Sequence, residues 1–238
     1  MSSQHIVIAG GSSGIGLATA SHLLALDYKV TITGRNQERL QAAKRLLKGD
    51  VNTVVMDAAK TESLGSVFGN IGRFNHLVLA LGSNKGVGPF ASVSLAAVRQ
   101  GFEEKVFPHF ACAQAALPFL EKDGSMSFIS AVSAQAAMPG TAGIAAANAA
   151  VAALVPILAN ELRPVRINGV SPGIIDTPWW DFLPEEQKVS VFTDFGAKTP
   201  VGRVGLPGEV AQAIAFLISN AFMSGHTIVC DGGLRCVG

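Results

Sequence analysis

The sequence predicts an α/β fold, a single doubly wound parallel sheet of about seven strands with helices on both faces. Three observations predict it. An apolar run at residues 6–9 is followed at once by glycines at 10, 11, 14 and 16, and then by an amphipathic segment at 17–26, an order that reads as strand, tight turn and helix. Short apolar runs then alternate with helical patterns along the whole chain, as βαβ units require. The composition is 49% hydrophobic and only 15% charged with 26 glycines, which suits strands buried on both faces and excludes a disordered or fibrous chain.

The elements follow in order. Strands are expected at 5–9 (HIVIA), 28–33 (YKVTIT), 51–56 (VNTVVM), 75–80 (NHLVLA), 125–130 (SMSFIS), 165–170 (VRINGV) and 226–230 (HTIVC). Helical patterns fill 15–26, 36–48, 60–71, 93–121, 141–162 and 207–220. No linker, repeat or low-complexity tract interrupts them, so residues 1–238 are expected to form one domain. In such a sheet the ligand crevice lies beyond the C-terminal strand ends. The residues just after each strand are therefore the candidates.

Charge and cysteine content narrow the partners. The net charge is +1 and no lysine or arginine run exceeds two residues, which argues against nucleic acid and anionic membranes. The start of the chain reads as the first strand, with no signal-peptide pattern. The most membrane-like stretch, 142–160, is alanine-rich and carries Asn148, Pro156 and Asn160. Three scattered cysteines, Cys112, Cys230 and Cys236, read as reduced thiols in a cytoplasmic protein, and no cluster suggests a metal.

The glycine turn, with Gly10, Ser12, Ser13, Gly14, Ile15 and Gly16, can bring backbone close to a pyrophosphate, whose charge is favoured at a helix N-terminus. After strand two stand Gly34, Arg35 and Asn36, where a fold preferring NAD usually has an acidic residue for the ribose hydroxyls. Arg35 instead offers a guanidinium to a 2′-phosphate, so the cofactor is expected to be NADP(H). The bland alternative is a solvated arginine opening the next helix. After strand three, Asp57 and Ala58 follow Met56. The Asp57 carboxylate can accept from an adenine amino group or cap the next helix.

Gly10, Gly14, Gly16, Asp57, the run Asn168-Gly169-Val170-Ser171-Pro172-Gly173, Thr177 and Asp231-Gly232-Gly233 together resemble the classical short-chain dehydrogenase/reductase family, over residues 6–233. The resemblance implies a Rossmann-type fold and a nicotinamide cofactor, with Pro172, Gly173, Ile175 and Thr177 along the nicotinamide and Gly82 in close backbone approach. Thr177 equally suits an N-cap for the segment at Pro178 and Trp179. Residues 174–198 correspond to a mobile substrate lid. Its Trp179, Trp180, Phe182, Phe192 and Phe195 suggest an apolar or ring-bearing small-molecule substrate, or simply pin the lid to the body. The helices at 93–121 and 141–162 match those through which the family forms homodimers and homotetramers.

The chain departs from the family where its catalysis resides. The positions of the usual Ser, Tyr and Lys fall on Ala131, Ile144 and Asn148, and that of the usual Asn falls on Lys105. The family's Asn-Asn-Ala-Gly after strand four is replaced by Leu79-Ala80-Leu81-Gly82. The chain's one tyrosine, Tyr28, lies at the wrong end of strand two to supply a proton. Lysine and asparagine are exchanged relative to the family between facing helices, an arrangement that would keep an ammonium available from the other side. Pro108 removes the amide that would bond Glu104, so the helix should bend or open beside Lys105 and let it point inward. The alternative is a solvated lysine beside Glu103 and Glu104. Ser130 and Ser133 end strand five; Ser133 reaches a substrate oxygen if the loop bulges, or else bonds backbone. His109 shares the Lys105 helix face, where a lone histidine is more often structural. Two functions fit. One is an NADP(H)-dependent oxidoreductase acting on an apolar carbonyl or alcohol through a non-standard site, with Lys105 and Ser133 catalytic. The other is an NADP(H)-binding non-redox protein: a sensor, an inactive partner subunit, or a lyase or cyclase.

Overall fold

β1 (His5–Ala9) runs through the middle of the molecule: Ile6, Val7, Ile8 and Ala9 are wholly buried, which is why the sequence there is a continuous apolar run rather than an alternating one. The computed structural model describes residues 4–237. Six further strands complete the sheet: β2 (Lys29–Gly34), β3 (Val51–Val55), β4 (Phe74–Leu79), β5 (Leu120–Ile129), β6 (Arg166–Pro172) and β7 (Thr227–Cys230). All pair in parallel, in the order β3-β2-β1-β4-β5-β6-β7. The order reverses direction between β1 and β4, and a crevice opens beyond such a switch point.

The two faces carry separate cores. Ile6 and Ile8 pack with Leu23 of α1 (Gly14–Leu24), Leu40 of α2 (Gln37–Leu46) and Val210, Ile214 and Leu217 of α7 (Pro207–Ser219). Val7 and Ala9 pack with Phe68 of α3 (Thr61–Ile71), Cys112 and Ala116 of α4 (Leu95–Ala116) and Val151 and Val155 of α5 (Ala142–Glu161). Each fully buried Ile, Leu, Val or Phe contributes about 1.5–3 kcal/mol. α5 is long and apolar enough to cross a membrane, yet here Ile144, Ala147, Asn148, Val151 and Val155 face inward and the helix packs along β5 and β6.

The structure differs from the sequence expectation in three places. α4 stops at Ala116 rather than 121, because Pro118 opens a single 3₁₀ turn, Leu117–Phe119, and β5 starts at Leu120, five residues early. A helix, α6 (Glu185–Lys198), occupies the second half of the 174–198 segment; its mixed polar face gave no clear period. α4 continues unbroken through Pro108, so the expected local opening is absent; the proline is buried, with α3 and α5 packed against the helix.

Candidate active site

The first turn is built by close backbone approach. Gly10 sits at φ +83°, and a Cβ there would collide with the Ala80 carbonyl oxygen. Its N–H and that of Gly11 both donate to the Thr33 carbonyl, at 3.1 and 3.0 Å. A Cβ at Gly16 would strike the Gly10 carbonyl, so α1 can start against the turn only with glycine there. Ser13 is the N-cap of α1, but its side chain makes no capping bond. The N–H groups of that helix N-terminus thus have no side-chain cap from Ser13.

A cleft of about 430 Å³ opens beyond this turn, lined by Gly10, Ser12, Ser13, Arg35, Asn36, Arg39, Asp57, Ala58, Gly82 and Glu104 among others. Thr33 Oγ1, also at the cleft, is buried without a hydrogen-bond partner. Exposed Arg35 and Arg39 stand together at its outer end. Sequence reasoning missed Arg39; the signal was its position one helical turn beyond Arg35. Asn36 Oδ1 accepts from Arg39 N at 2.9 Å and so caps α2. Asp57 does not cap α3, whose N-cap is Lys60; its carboxylate accepts from Ala59 N at 3.2 Å and faces the cleft. Ile15 lies half-buried in the first turn of α1 against the core, and its carbonyl accepts from Thr19.

At the end of β6, Pro172 is buried, and a Cβ at Gly173 would come within 2.8 Å of Asp231 Cα. Ile175 is buried, and Thr177 packs over Gly14, its Cβ 3.4 Å from where a Gly14 Cβ would stand. Thr177 is the N-cap residue of the 3₁₀ turn Pro178–Trp180, in extended backbone, although its side chain makes no capping bond. Thr177 thus brings the segment after β6 over the first turn.

The other half of the site lies beyond β5. Ala131 is half-buried there, and Ile144 and Asn148 face inward from α5. Lys105 does point inward: it is 6% exposed, and its Nζ donates to the Ser130 carbonyl at 3.4 Å. No carboxylate pairs with it among the described residues, and burial pushes its pKa down to about 8. His109 lies one turn deeper and is fully buried. Its Nδ1 is 2.7 Å from the Lys105 carbonyl and its Nε2 3.1 Å from that of Leu79, with the ring stacked on Phe128. Burial, then Lys105, pushes its pKa down to about 3. Ser130 Oγ donates to the Val170 carbonyl at 3.4 Å. Ser133 does not bond backbone: its Oγ accepts from Asn148 Nδ2 at 3.0 Å. Asn148 Oδ1 and Ser171 Oγ are buried without partners. Tyr28 packs at the N-terminal side of β2, far from this layer.

Two groups at the cleft rim were not legible in the sequence. Glu104 accepts from Ser83 Oγ and from Gln100 Nε2, both at 2.7 Å. The Ser83 carbonyl in turn accepts from Trp179 Nε1 at 3.0 Å. The aromatics of 174–198 pack mainly on one another: ring centroids are 4.7 Å apart for Trp179 and Trp180, 5.3 Å for Trp179 and Phe182, and 5.8 Å for Trp180 and Phe192. Trp180 Nε1 donates to the Ile175 carbonyl at 3.0 Å. Lys188 lies over Phe192 and is 3.5 Å from Asp181, while Phe195 sits under Lys198.

A parallel sheet with its switch point at a glycine turn, and a guanidinium-rimmed cleft beyond it, defines a dinucleotide-binding protein of the doubly wound Rossmann class. The family model described as enoyl-(acyl carrier protein) reductase matches residues 9–235. The chain belongs to that family, within the short-chain dehydrogenase/reductases. Among curated relatives, the 3-oxoacyl-[acyl-carrier-protein] reductase of Bos taurus is 30% identical over 236 residues, covering 96% of each chain. Carbonyl reductase family member 4 of Danio rerio is 29% identical over 240 residues, 98% of each. A small-chain dehydrogenase solved in complex with NADPH superposes with a TM-score of 0.84 at 27% identity, over 98% of this chain and 99% of that one. A short-chain oxidoreductase of Pseudomonas aeruginosa PAO1 containing an atypical catalytic center gives 0.87 at 29% identity, over 97% of each.

Proposed function

We propose that the protein is an NADP(H)-dependent oxidoreductase interconverting an apolar carbonyl compound and its alcohol, through a site in which Lys105 and Ser133 replace the family's usual catalytic groups. The observation that carries this is the buried Lys105 ammonium at the end of β5, held by a carbonyl and no carboxylate. A fold does not retain an isolated buried charge for stability.

The cleft fits the cofactor. The cradle leaves no room for a side chain at Gly10 or Gly16 and holds Gly14 at φ +53°, the N-terminus of α1 is uncapped by side chain, and Arg35 and Arg39 suit a 2′-phosphate. Ser12, Ser13, Asn36, Asp57, Ala58 and Gly82 line the same cleft, and in this proposal Ile15, Pro172, Gly173, Ile175 and Thr177 complete the approach to the cofactor. A related dehydrogenase solved with NADPH supports the assignment. When bound, the reduced nicotinamide supplies a hydride. The chain's residues do the rest. Ser133 donates to the substrate oxygen and orients it; Lys105 supplies the proton that neutralises the developing alkoxide. Its lowered proton affinity makes it a better acid than a solvated lysine.

Residues 174–198 act as a lid whose aromatic cluster excludes water over an apolar substrate. The three free thiols suit a reducing compartment such as the cytoplasm. Exposed Phe107 and Phe110 on α4 and Ile157 on α5 suit association with a second copy of the chain.

The test is NADPH consumption over a panel of ketones, imines and enones, with Lys105→Ala alongside. Turnover lost in the variant while NADPH still binds supports the reading. Unchanged turnover removes the role of Lys105. A protein that binds NADPH tightly and consumes none favours a non-redox binder, a reading that the lack of any phenol at the strand ends also supports.

A further inference from the structure

We propose that Asn148 is a positioning residue that turns the Ser133 hydroxyl outward as a hydrogen-bond donor to a substrate carbonyl oxygen. The inference rests on the oxidoreductase reading above and gives that site its polarising group. A serine hydroxyl has one proton to donate and two acceptor positions. Asn148 Nδ2 fills an acceptor position at 3.0 Å. Among the described residues nothing in the protein accepts the Ser133 proton, so it is free for an incoming oxygen. Ser133 lies in the 3₁₀ turn Val132–Ala134, directly beyond β5, half-buried where the crevice opens. Asn148 is 1% exposed on α5 and anchors the pair from below.

The second observation is the other end of the same amide. Asn148 Oδ1 is buried with no partner. An unpaired buried amide oxygen is costly, and such groups concentrate where function holds them. With an alanine at this position the loop would lose its support, and with a lysine it would gain a second cation beside Lys105. An amide supplies a donor without charge. The orientation matters. Turned over, the amide would accept the Ser133 proton and leave the hydroxyl nothing to offer a substrate. The ionisable groups on the elements around this layer are Lys105 and His109 of α4, Lys85 of the loop packed on Gly143, and Arg235, whose guanidinium donates to Gln135 two residues after Ser133; the inward face of α5, the end of β5 and residues 167–172 of β6 contribute none.

The test does not depend on turnover. Ser133→Cys places a thiol at the end of the Asn148 bond, and its thiolate is followed by ultraviolet absorbance against pH, with the titration of Cys112, Cys230 and Cys236 in the parent protein subtracted. An amide donating to sulfur favours the thiolate. Adding Asn148→Leu, close in shape and without a donor, should lower the thiolate fraction about tenfold at a pH below the thiol pKa. Adding Asn148→Asp should lower it further. An unchanged titration overturns the proposal. A raised thiolate fraction in Asn148→Leu also overturns it, since that is the result of an amide facing the other way. In the unmodified site, Asn148→Leu and Ser133→Ala should each cut kcat, and the double variant should lose little more than either. Additive losses count against the pair. A parent protein silent toward carbonyl compounds would remove the oxidoreductase reading, while the thiol titration would still decide whether Asn148 orients Ser133.

Discussion

Lys105 Nζ lies 3.4 Å from the carbonyl oxygen of Ser130, and that neutral acceptor is its hydrogen-bond partner within the protein. The pairing joins α4 to the C-terminal end of β5 in the layer where the crevice opens. A carbonyl relieves part of the cost of burying an ammonium but cannot neutralise it. The charged form is therefore disfavoured, and the pKa drops from 10.5 to about 8.

This cost predicts a trade between stability and activity. In the unfolded chain the group holds its proton up to about 10.5, whereas in the fold it releases it above about 8. The unfolded state thus binds more protons between those values, and stability should rise with pH across that window. Lys105→Met, which keeps the stem and removes the charge, should be more stable at neutral pH by up to about 3 kcal/mol. It should also lose turnover. Thermal unfolding at neutral and alkaline pH checks both signs.

Acid should act in the opposite direction through two buried histidines. His76, bonded to Ser125 Oγ at 2.9 Å, is held down to about 4 by burial, then by Arg166; His109 is held down to about 3. Both are neutral in the fold while their unfolded counterparts protonate below 6.5. Stability should therefore fall steadily as pH drops from about 6.5 toward 4. His76→Gln should flatten part of that slope in a Tm-against-pH series.

Cofactor preference should reside at the outer end of the cleft. Arg35→Ala should weaken NADPH binding by about 10–100-fold, the loss of one charged contact, and change NADH binding little. Arg39→Ala should do the same more mildly. Fluorescence titration with each nucleotide separates the two effects.

The lid should depend on one indole. Trp179 Nε1 donates to the Ser83 carbonyl, and Ser83 Oγ donates to Glu104, so the start of the proposed lid is tied to the cleft lining. Trp179→Phe keeps the ring and loses the bond. Amide hydrogen exchange across 177–198 should quicken in this variant, with KM raised more than kcat is lowered.

Most of the scaffold was legible because its signals are local. The glycines at 10, 14 and 16 and the apolar run beside them carry the first βα unit in the eleven residues 6–16, and parallel strands buried on both faces leave unbroken apolar runs. What escaped depends on distant parts meeting. The inward aim of Lys105 was open in sequence and is decided by the packing of α4 against β5. The Asn148–Ser133 bond joins residues 15 apart through a turn that no pattern announces. Pro108 does not open the helix, because a helix held by its neighbours tolerates a missing hydrogen bond. α6 was hidden by charged residues that satisfy no apolar stripe.

In the proposed reaction the buried Lys105 supplies the proton that the family takes from tyrosine. The most direct measurement is the pH profile of NADPH-dependent carbonyl reduction by the parent protein and by Lys105→Met, read from NADPH absorbance. The parent rate should be level at neutral pH and fall as pH rises through about 8, where Lys105 loses its proton. The variant should be slower by about 10²–10⁴-fold with no such fall. A variant that matches the parent in both rate and profile would contradict this role of Lys105.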